Sequence, residues 1–294
     1  MSAAAELQVP SRGRMVEIGE GRQLRYVAAG PTSSMRPLVV LEAGSFGFSA
    51  DWAAVQDRLA ADGLRSLAYD RAGLGVSDPA PLPRDSDSIV TDLERLLGAL
   101  DEPGPYVVCG HSMAGMHVRL FAARNAAQVR GLVLVDATTP EAMDNPTAVQ
   151  FVGHFNNLSK FAAWGAQVGL ARPLAGAMGD AIGLPALAKE EKRRAFADPS
   201  HNHWAAAEVA AWHDDARQAR AAGALAADLP VAVVLTGDGR TPIARHSIQT
   251  APAEASRRGF VIHVPGASHA SLLGQRHASH IVRAILSVEA AAKS

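Results

Sequence analysis

Ser112 stands between Gly110 and Ala114 in the stretch VVCGHSMAG, where a strongly β-prone run meets a helical pattern. A tight strand-to-helix turn that presents a side chain at its apex strains the backbone there, and small flanking residues prevent a collision. The hydroxyl would then lie near the positive N-terminal end of the following helix, which suits a nucleophile that generates an oxyanion. The alternative is a helix N-cap, a role that serine takes in many proteins without small neighbours.

The elements around this serine predict an α/β fold with a mostly parallel, eight-stranded sheet flanked by helices. Runs such as GLVLVD and PVAVVLTG are apolar on both faces, as expected for strands covered by crossover helices. The first two strands, joined by GEGR, predict an antiparallel edge hairpin. Strands are predicted at 15–18, 24–28, 38–41, 66–69, 106–109, 132–135, 231–235 and 260–264, and helices at 50–61, 86–100, 113–126 and 278–291.

One long segment interrupts this alternation. Residues 139–227 show no convincing strand, only an alanine-rich helical pattern that carries several Phe and Trp residues. We therefore predict an inserted helical cap, or lid, at 139–227 over a core formed by 1–138 and 228–294. Ligands are expected at the carboxyl ends of the parallel strands, beneath this insertion.

The composition narrows the classes of function. The 294 residues are 48% apolar and carry 28 basic and 29 acidic side chains, without long runs of one sign, which argues against nucleic-acid and membrane-surface partners. The single cysteine, Cys109, excludes an internal disulfide and a multi-cysteine zinc site. The two histidines of HNHW, His201 and His203, lack a third ligand nearby, which argues against a metal site there. Acyl transfer by a serine implies no metal and no organic cofactor. Without a signal-like or membrane-spanning stretch, we expect a cytoplasmic location.

Four stretches follow predicted strands: VVLEAGSFGFSADW at 39–52, AYDRAGLGVSD at 68–78, GHSMAG at 110–115 and VPGASHASLL at 264–273. Together, and in this order, they resemble the motifs of the α/β-hydrolase superfamily. Asp70 and Arg71, in the second stretch, match a family motif that is credited to structure, so no chemistry is assigned to them.

A serine nucleophile needs a base and oxyanion donors. The resemblance implies that His269, in the loop after the last strand, is the base, and it places one oxyanion donor at the amide of Met113. The second donor is expected in the loop after the third strand. There Ala43 stands at the family's usual histidine, so the amide of Ser45 is the candidate and Phe46 stays open as its neighbour.

The carboxylate that orients His269 has two candidates. In much of the family it follows the strand after the insertion in a Gly-x-x-Asp pattern, but counting from Gly237 leads to Arg240, and Asp238 comes two positions early. Some branches instead place the acid after the strand that follows the nucleophile helix, which here is Asp136. Because Asp136 keeps a family register, it is favoured, with Asp238 as the alternative.

These residues predict a serine hydrolase that cleaves a small carboxylic ester or related acyl substrate through an acyl-enzyme at Ser112. A serine nucleophile argues against halide displacement and epoxide opening, which use a carboxylate. Alternatives within the family are carbon–carbon bond hydrolysis and cofactor-free perhydrolysis, and outside the enzymes a ligand-binding receptor with residual turnover. The aromatic residues of the insertion suggest an apolar substrate. The sequence leaves the oligomeric state open.

Overall fold

The computed structural model describes residues 12–171, 173, 175, 180–239 and 244–293. Within these residues eight strands form one sheet, in the order β1-β2-β4-β3-β5-β6-β7-β8. The strands are β1 (Arg14–Glu17), β2 (Gln23–Ala29), β3 (Leu38–Glu42), β4 (Ser66–Tyr69), β5 (Tyr106–His111), β6 (Val129–Val135), β7 (Val231–Thr236) and β8 (Phe260–Val264).

The pairing of the strands follows the prediction. Strand β1 runs antiparallel to β2, and β2 runs antiparallel to β4, whereas all other neighbours are parallel. The edge hairpin and the mostly parallel, eight-stranded sheet are therefore both confirmed. The carboxyl ends of β3, β5, β6, β7 and β8 consequently lie along one edge, where the loops that follow them can meet.

The nine α-helices of the described residues include the four that the sequence predicted. Four more lie in the segment for which a helical insertion was predicted. The remaining helix, α8, was not predicted; its sequence ARHSIQTAPAE is polar and contains Pro252, which argues against a helix interior. The helices are α1 (Ala53–Ala61), α2 (Ser86–Ala99), α3 (Ala114–Arg124), α4 (Pro146–Gln167), α5 (Ala186–Ala197), α6 (Pro199–Ala210), α7 (Trp212–Ala221), α8 (Ala244–Glu254) and α9 (Ala278–Ala291).

Helices cover both faces of the sheet, because alternate residues of each buried strand point to opposite sides. On β5, Val107 and Cys109 pack with residues of α1 and α9, whereas Val108 packs with residues of α2 and α3. Cys109 is fully buried, as a small apolar residue would be, and this burial raises the pKa of its thiol. The two cores hold the strand that leads to Ser112 from both sides.

The segment between β6 and β7 is helical where the structure describes it. It contains a short 3₁₀ helix at Pro140–Asp144 and then α4 to α7, and the described residues between these two strands include no strand. The inserted helices are thus confirmed, whereas the boundaries of core and cap stay a prediction, and residues 1–11 of the predicted core lie outside the described residues. No helix in the described part of the chain is long and apolar enough to cross a bilayer.

Candidate active site

Ser112 lies at the apex of a sharp turn between β5 and α3. Its φ of 57° falls in the left-handed region, which is unusual for a residue with a side chain. An N-cap residue normally has extended backbone, and here the N-cap position belongs to Met113, without a side-chain capping bond. The N-cap alternative for Ser112 is therefore wrong. The turn is held by three backbone bonds, from the Ser112 amide to Val135 O and from the amides of Gly115 and Thr138 to Ser112 O.

Small residues surround the turn because there is no room for larger ones. A Cβ on Gly110 would lie 2.8 Å from a methyl carbon of Val118 and 2.9 Å from the carbonyl oxygen of Ala114. A Cβ on Gly44, in the loop after β3, would lie 2.8 Å from Cβ of Ser112. The packing requirement that the sequence predicted for Gly110 is confirmed, and the loop after β3 lies directly against the serine.

His269 and Asp136 form a close pair at the same edge of the sheet. His269 follows β8 and Asp136 follows β6, and Nδ1 of the imidazole lies 2.6 Å from Oδ2 of the carboxylate. Since a carboxylate accepts, Nδ1 carries the proton and Nε2 is the nitrogen left for other partners. Asp136 has a φ of 40°, so a second strained residue stands at this strand end.

Gln249 holds the other oxygen of that carboxylate. Its Nε2 donates to Asp136 Oδ1 at 3.1 Å and to the carbonyl oxygen of Ala137 at 3.3 Å. Gln249 lies on α8, the helix that the sequence pattern did not predict, and for that reason the sequence analysis missed it. No local signal marks this glutamine, since its partner lies 113 residues away in the chain.

The alternative acid, Asp238, occupies a different position. It is exposed in the loop that follows β7. Arg240, which stands where the commoner family pattern would place the acid, lies outside the described residues. Of the two candidate carboxylates, Asp136 is the one that the structure places in hydrogen-bond contact with His269.

His111, directly before the serine, contacts His269 as well. The two rings lie 4.5 Å apart between centroids, and Nε2 of His111 lies 3.1 Å from the carbonyl oxygen of His269. Burial, together with the nearby His269, lowers the pKa of His111 to about 3. The ring is therefore neutral at physiological pH and can donate from Nε2 to this carbonyl, which ties the loop of His269 to the turn of Ser112.

The two predicted oxyanion residues are neighbours. The hydroxyl of Ser45 lies 3.5 Å from Sδ of Met113, and Met113 is fully buried at the start of α3. Ser45 belongs to a turn in which the amide of Gly47 donates to the carbonyl oxygen of Gly44 at 3.0 Å. Phe46, the other candidate, has a φ of 57° in the same turn. The loop after β3 and the N-terminus of α3 thus meet beside Ser112.

A cavity of about 1140 Å³ brings these groups together. Ser112, Asp136, His269, Ser45 and Phe46 all line it. One wall is aromatic: the ring of Phe46 lies 6.3 Å from that of Phe155, which in turn lies 6.0 Å from that of Trp212, both in edge-to-face contact. Further apolar lining residues of the insertion are Met143, Phe151 and Val152.

The HNHW segment lies elsewhere and packs on the turn after β4. His201, which is buried, accepts a hydrogen bond at Nδ1 from the amide of Gly75 at 3.0 Å. A Cβ on Gly73 would lie 2.2 Å from the indole of Trp204. His201 and Trp204 thus dock helix α6 against the DRAGLGVSD segment, and the position of Gly73 has no room for a side chain because Trp204 of this helix lies against it.

The fold and these motifs match known proteins. The sequence model of the alpha/beta hydrolase family matches residues 39–280. An AB hydrolase superfamily protein from Gibberella zeae is 34% identical over 112 residues, which cover 37% of this chain and 34% of the relative. The chain matches between 17% and 38% of the length of this and three other curated relatives.

Solved structures agree over nearly the whole chain. The enol-lactonase from Burkholderia xenovorans LB400 superposes with a TM-score of 0.64 at 20% identity and covers 93% of this chain and 98% of its own. The epoxide hydrolase CorEH superposes with a TM-score of 0.67 at 20% identity and covers 92% and 95%. At this identity the likeness concerns the fold.

Proposed function

The chain belongs to the alpha/beta hydrolase family, and we propose that it is a serine hydrolase acting on small carboxylic esters or related acyl compounds. Ser112 is the nucleophile, His269 the base and Asp136 the carboxylate that orients the base. One observation carries this proposal: the 2.6 Å pair of His269 and Asp136 lines the same cavity as the strained Ser112.

The mechanism follows from the tautomer of His269. With the Nδ1 proton held by Asp136, Nε2 accepts the proton of Ser112 Oγ as that oxygen attacks the substrate carbonyl. The negative oxygen of the tetrahedral intermediate accepts hydrogen bonds from the amides of Met113 and Ser45, at the positive end of α3. His269 then returns the proton to the leaving alcohol, and an acyl-enzyme remains. Water, deprotonated by His269, attacks the acyl carbon and releases the acid and the free serine.

The proposal that the cleaved bond is an ester bond rests on the type of nucleophile and on the lining of the cavity. Serine forms an acyl-enzyme with an ester, whereas epoxide opening in this fold uses a carboxylate nucleophile whose ester is then hydrolysed. The aromatic wall formed by Phe46, Phe155 and Trp212 favours an apolar acyl group or an aromatic leaving group. We expect a small-molecule ester as the substrate.

Covalent labelling tests the proposal. A fluorophosphonate should modify Ser112, as located by peptide mapping, and the label should be absent in Ser112→Ala and strongly slowed in His269→Ala. The unmodified enzyme should hydrolyse p-nitrophenyl esters with multiple turnovers. Labelling at another residue would contradict the assignment of the nucleophile. Turnover of a vinylogous diketone in preference to every ester would move the activity to carbon–carbon hydrolysis, and tight product retention after one turnover would indicate a receptor.

A further inference from the structure

Arg71 is a buried cation whose five N–H donors all have acceptors. It is 1% exposed. Nε and Nη2 donate to the two carboxylate oxygens of Glu208, each at 2.8 Å, and Nη1 donates to Glu42 at 2.6 Å. The remaining two donors go to backbone carbonyls, from Nη1 to Ala43 at 2.5 Å and from Nη2 to Gly44 at 2.9 Å.

Those two carbonyls belong to the loop that we propose forms the oxyanion hole. The carbonyl of Gly44 and the amide of Ser45 lie in one peptide unit, and this peptide is trans because the cis bonds of the described residues lie elsewhere. In a planar trans peptide the C=O and N–H bonds point in opposite directions. Since Gly44 O points to Arg71 and to the amide of Gly47 inside the turn, the Ser45 N–H points away from both.

The orientation of that amide therefore depends on where the guanidinium lies. A bidentate contact between arginine and a carboxylate fixes the plane of the guanidinium as well as its position. Glu208 makes this contact from the inserted helix α6, while Glu42 at the end of β3 is further held by the hydroxyl of Tyr69 at 2.5 Å. Glu208 lies on the same face of α6 as His201 and Trp204, at spacings of seven and four residues, so the docking of this helix places the carboxylate.

We propose that Arg71 is a positioning residue for the oxyanion hole, which fixes the direction of the Ser45 amide, and that Glu208 on the inserted helix holds Arg71 in place. This inference rests on the proposed function. It gives the insertion a role in the chemical step besides covering the cavity: the helix that docks on the turn after β4 supplies the carboxylate that sets the geometry of the loop after β3.

The test compares two isosteric substitutions that each remove a buried carboxylate between the insertion and the core. Glu208→Gln disturbs the partner of Arg71. Asp215→Asn is the matched control: Asp215 on α7 is fully buried and accepts from the amide and hydroxyl of Ser86, at the start of α2, at 2.6 and 3.0 Å. Thermal unfolding checks that both variants fold. A fluorophosphonate, allowed to react to completion, counts the active sites, and kcat is calculated per active site.

An oxyanion donor acts on the transition state. Glu208→Gln should therefore lower kcat for a p-nitrophenyl ester by about tenfold or more, while KM stays within about twofold of that of the unsubstituted enzyme. The Ki of a trifluoromethyl ketone, whose adduct carries the oxyanion, should rise by the factor by which kcat/KM falls. Asp215→Asn should change both by less than about twofold. Equal effects in the two variants, or a change confined to KM, would overturn the proposal.

A second variant covers the case in which Glu208→Gln does not fold. Arg71→Lys keeps the positive charge between Glu42 and Glu208, but an ammonium has three donors and cannot form the planar fork. It should show the same fall in kcat and the same rise in Ki, and an unchanged kcat in this variant would also overturn the proposal. If the unsubstituted enzyme neither labels at Ser112 nor cleaves esters, the proposed function itself fails; if it does both, only the positioning role is being decided.

Discussion

The imidazole of His269 is 50% exposed, whereas the carboxylate of Asp136, 2.6 Å from its Nδ1, is 2% exposed. A buried carboxylate acts through a medium of low dielectric constant, so its hydrogen bond to the imidazole is stronger than one in water. The protein thus fixes the acid and leaves the other side of the ring open to the cavity. This asymmetry suits the proposed role of His269 as a base that exchanges protons with a substrate.

Replacing the acid should separate Asp136 from Asp238. Asp136→Asn removes the charge that sets the tautomer of His269, and we expect kcat to fall by about 10⁴-fold, the loss seen when a triad carboxylate becomes an amide. Asp238→Asn, in the exposed loop after β7, should leave kcat within about threefold. Steady-state kinetics on one ester measures both. The assignment of Asp136 would be wrong if the larger loss occurred in the Asp238 variant.

Removing the support of the acid should have a smaller effect. Gln249→Leu deletes the donor to Asp136 Oδ1 with little change in volume, and a hydrogen bond to a charged group contributes about 1.5–3 kcal/mol. We expect kcat to fall by about tenfold to a hundredfold while KM changes little. Gln218→Leu, on α7, removes a side chain that donates to Asp85 at 2.8 Å and is not among the described residues that line the cavity, so it serves as a control. Identical kinetics in the two variants would contradict a role for Gln249.

Gly44→Ala should displace Ser112, the proposed nucleophile. The added Cβ would lie 2.8 Å from Ser112 Cβ and 3.1 Å from the carbonyl oxygen of His111, so one side of the turn must move. Misplacement of a reacting atom by about 1 Å costs roughly 10²-fold in rate, and we expect a loss of kcat of that order. In the control Gly153→Ala, on an exposed part of α4, the Cβ meets no atom within 4 Å. That variant should keep its kcat and gain about 0.5–1 kcal/mol of stability.

The free energy of unfolding should decrease as the pH is lowered, because buried His201 resists protonation. Burial, with Lys192 nearby, lowers the pKa of His201 from 6.5 to about 3, so the folded protein holds this ring neutral while the unfolded chain binds a proton below about pH 6.5. The contribution of the neutral His201 ring to the free energy of unfolding is complete above the unfolded pKa. It is lost as the pH falls towards 3, at up to about 1.4 kcal/mol per pH unit.

The variant His201→Asn isolates this effect, because the asparagine oxygen can replace Nδ1 as acceptor for the Gly75 amide. Urea denaturation at several pH values between 4.5 and 7.5 gives the difference in the free energy of unfolding between the two proteins. This difference should shift in favour of the variant as the pH falls. A difference that stays constant over this range would mean that His201 has the same pKa in the folded and the unfolded protein, which would contradict the lowered pKa.

Much of the fold could be predicted because its signals are local. Each strand is a short apolar run bounded by turn residues, and the buried strands are apolar on both faces, so the parallel sheet follows from the pattern itself. Helix α8 was missed because its polar sequence and Pro252 contradict local helix signals, while its place beside β7 and β8 stabilises it through packing. Gln249 was missed with it.

The sequence by itself determined where the chemistry-bearing groups stand in the chain: Ser112 follows β5, Asp136 follows β6 and His269 follows β8, each at the carboxyl end of a parallel strand. Only the tertiary structure decided which of them meet. Asp238 follows β7, the neighbour of β8, yet the carboxylate that contacts His269 is that of Asp136, directly after β6 and one strand further away, and Asp136 itself has a φ of 40°. Likewise Arg71 takes its partners from β3, the loop after it and the inserted helix α6. Such contacts join residues far apart in the chain, and their geometry depends on loop conformations that no local pattern of residues encodes.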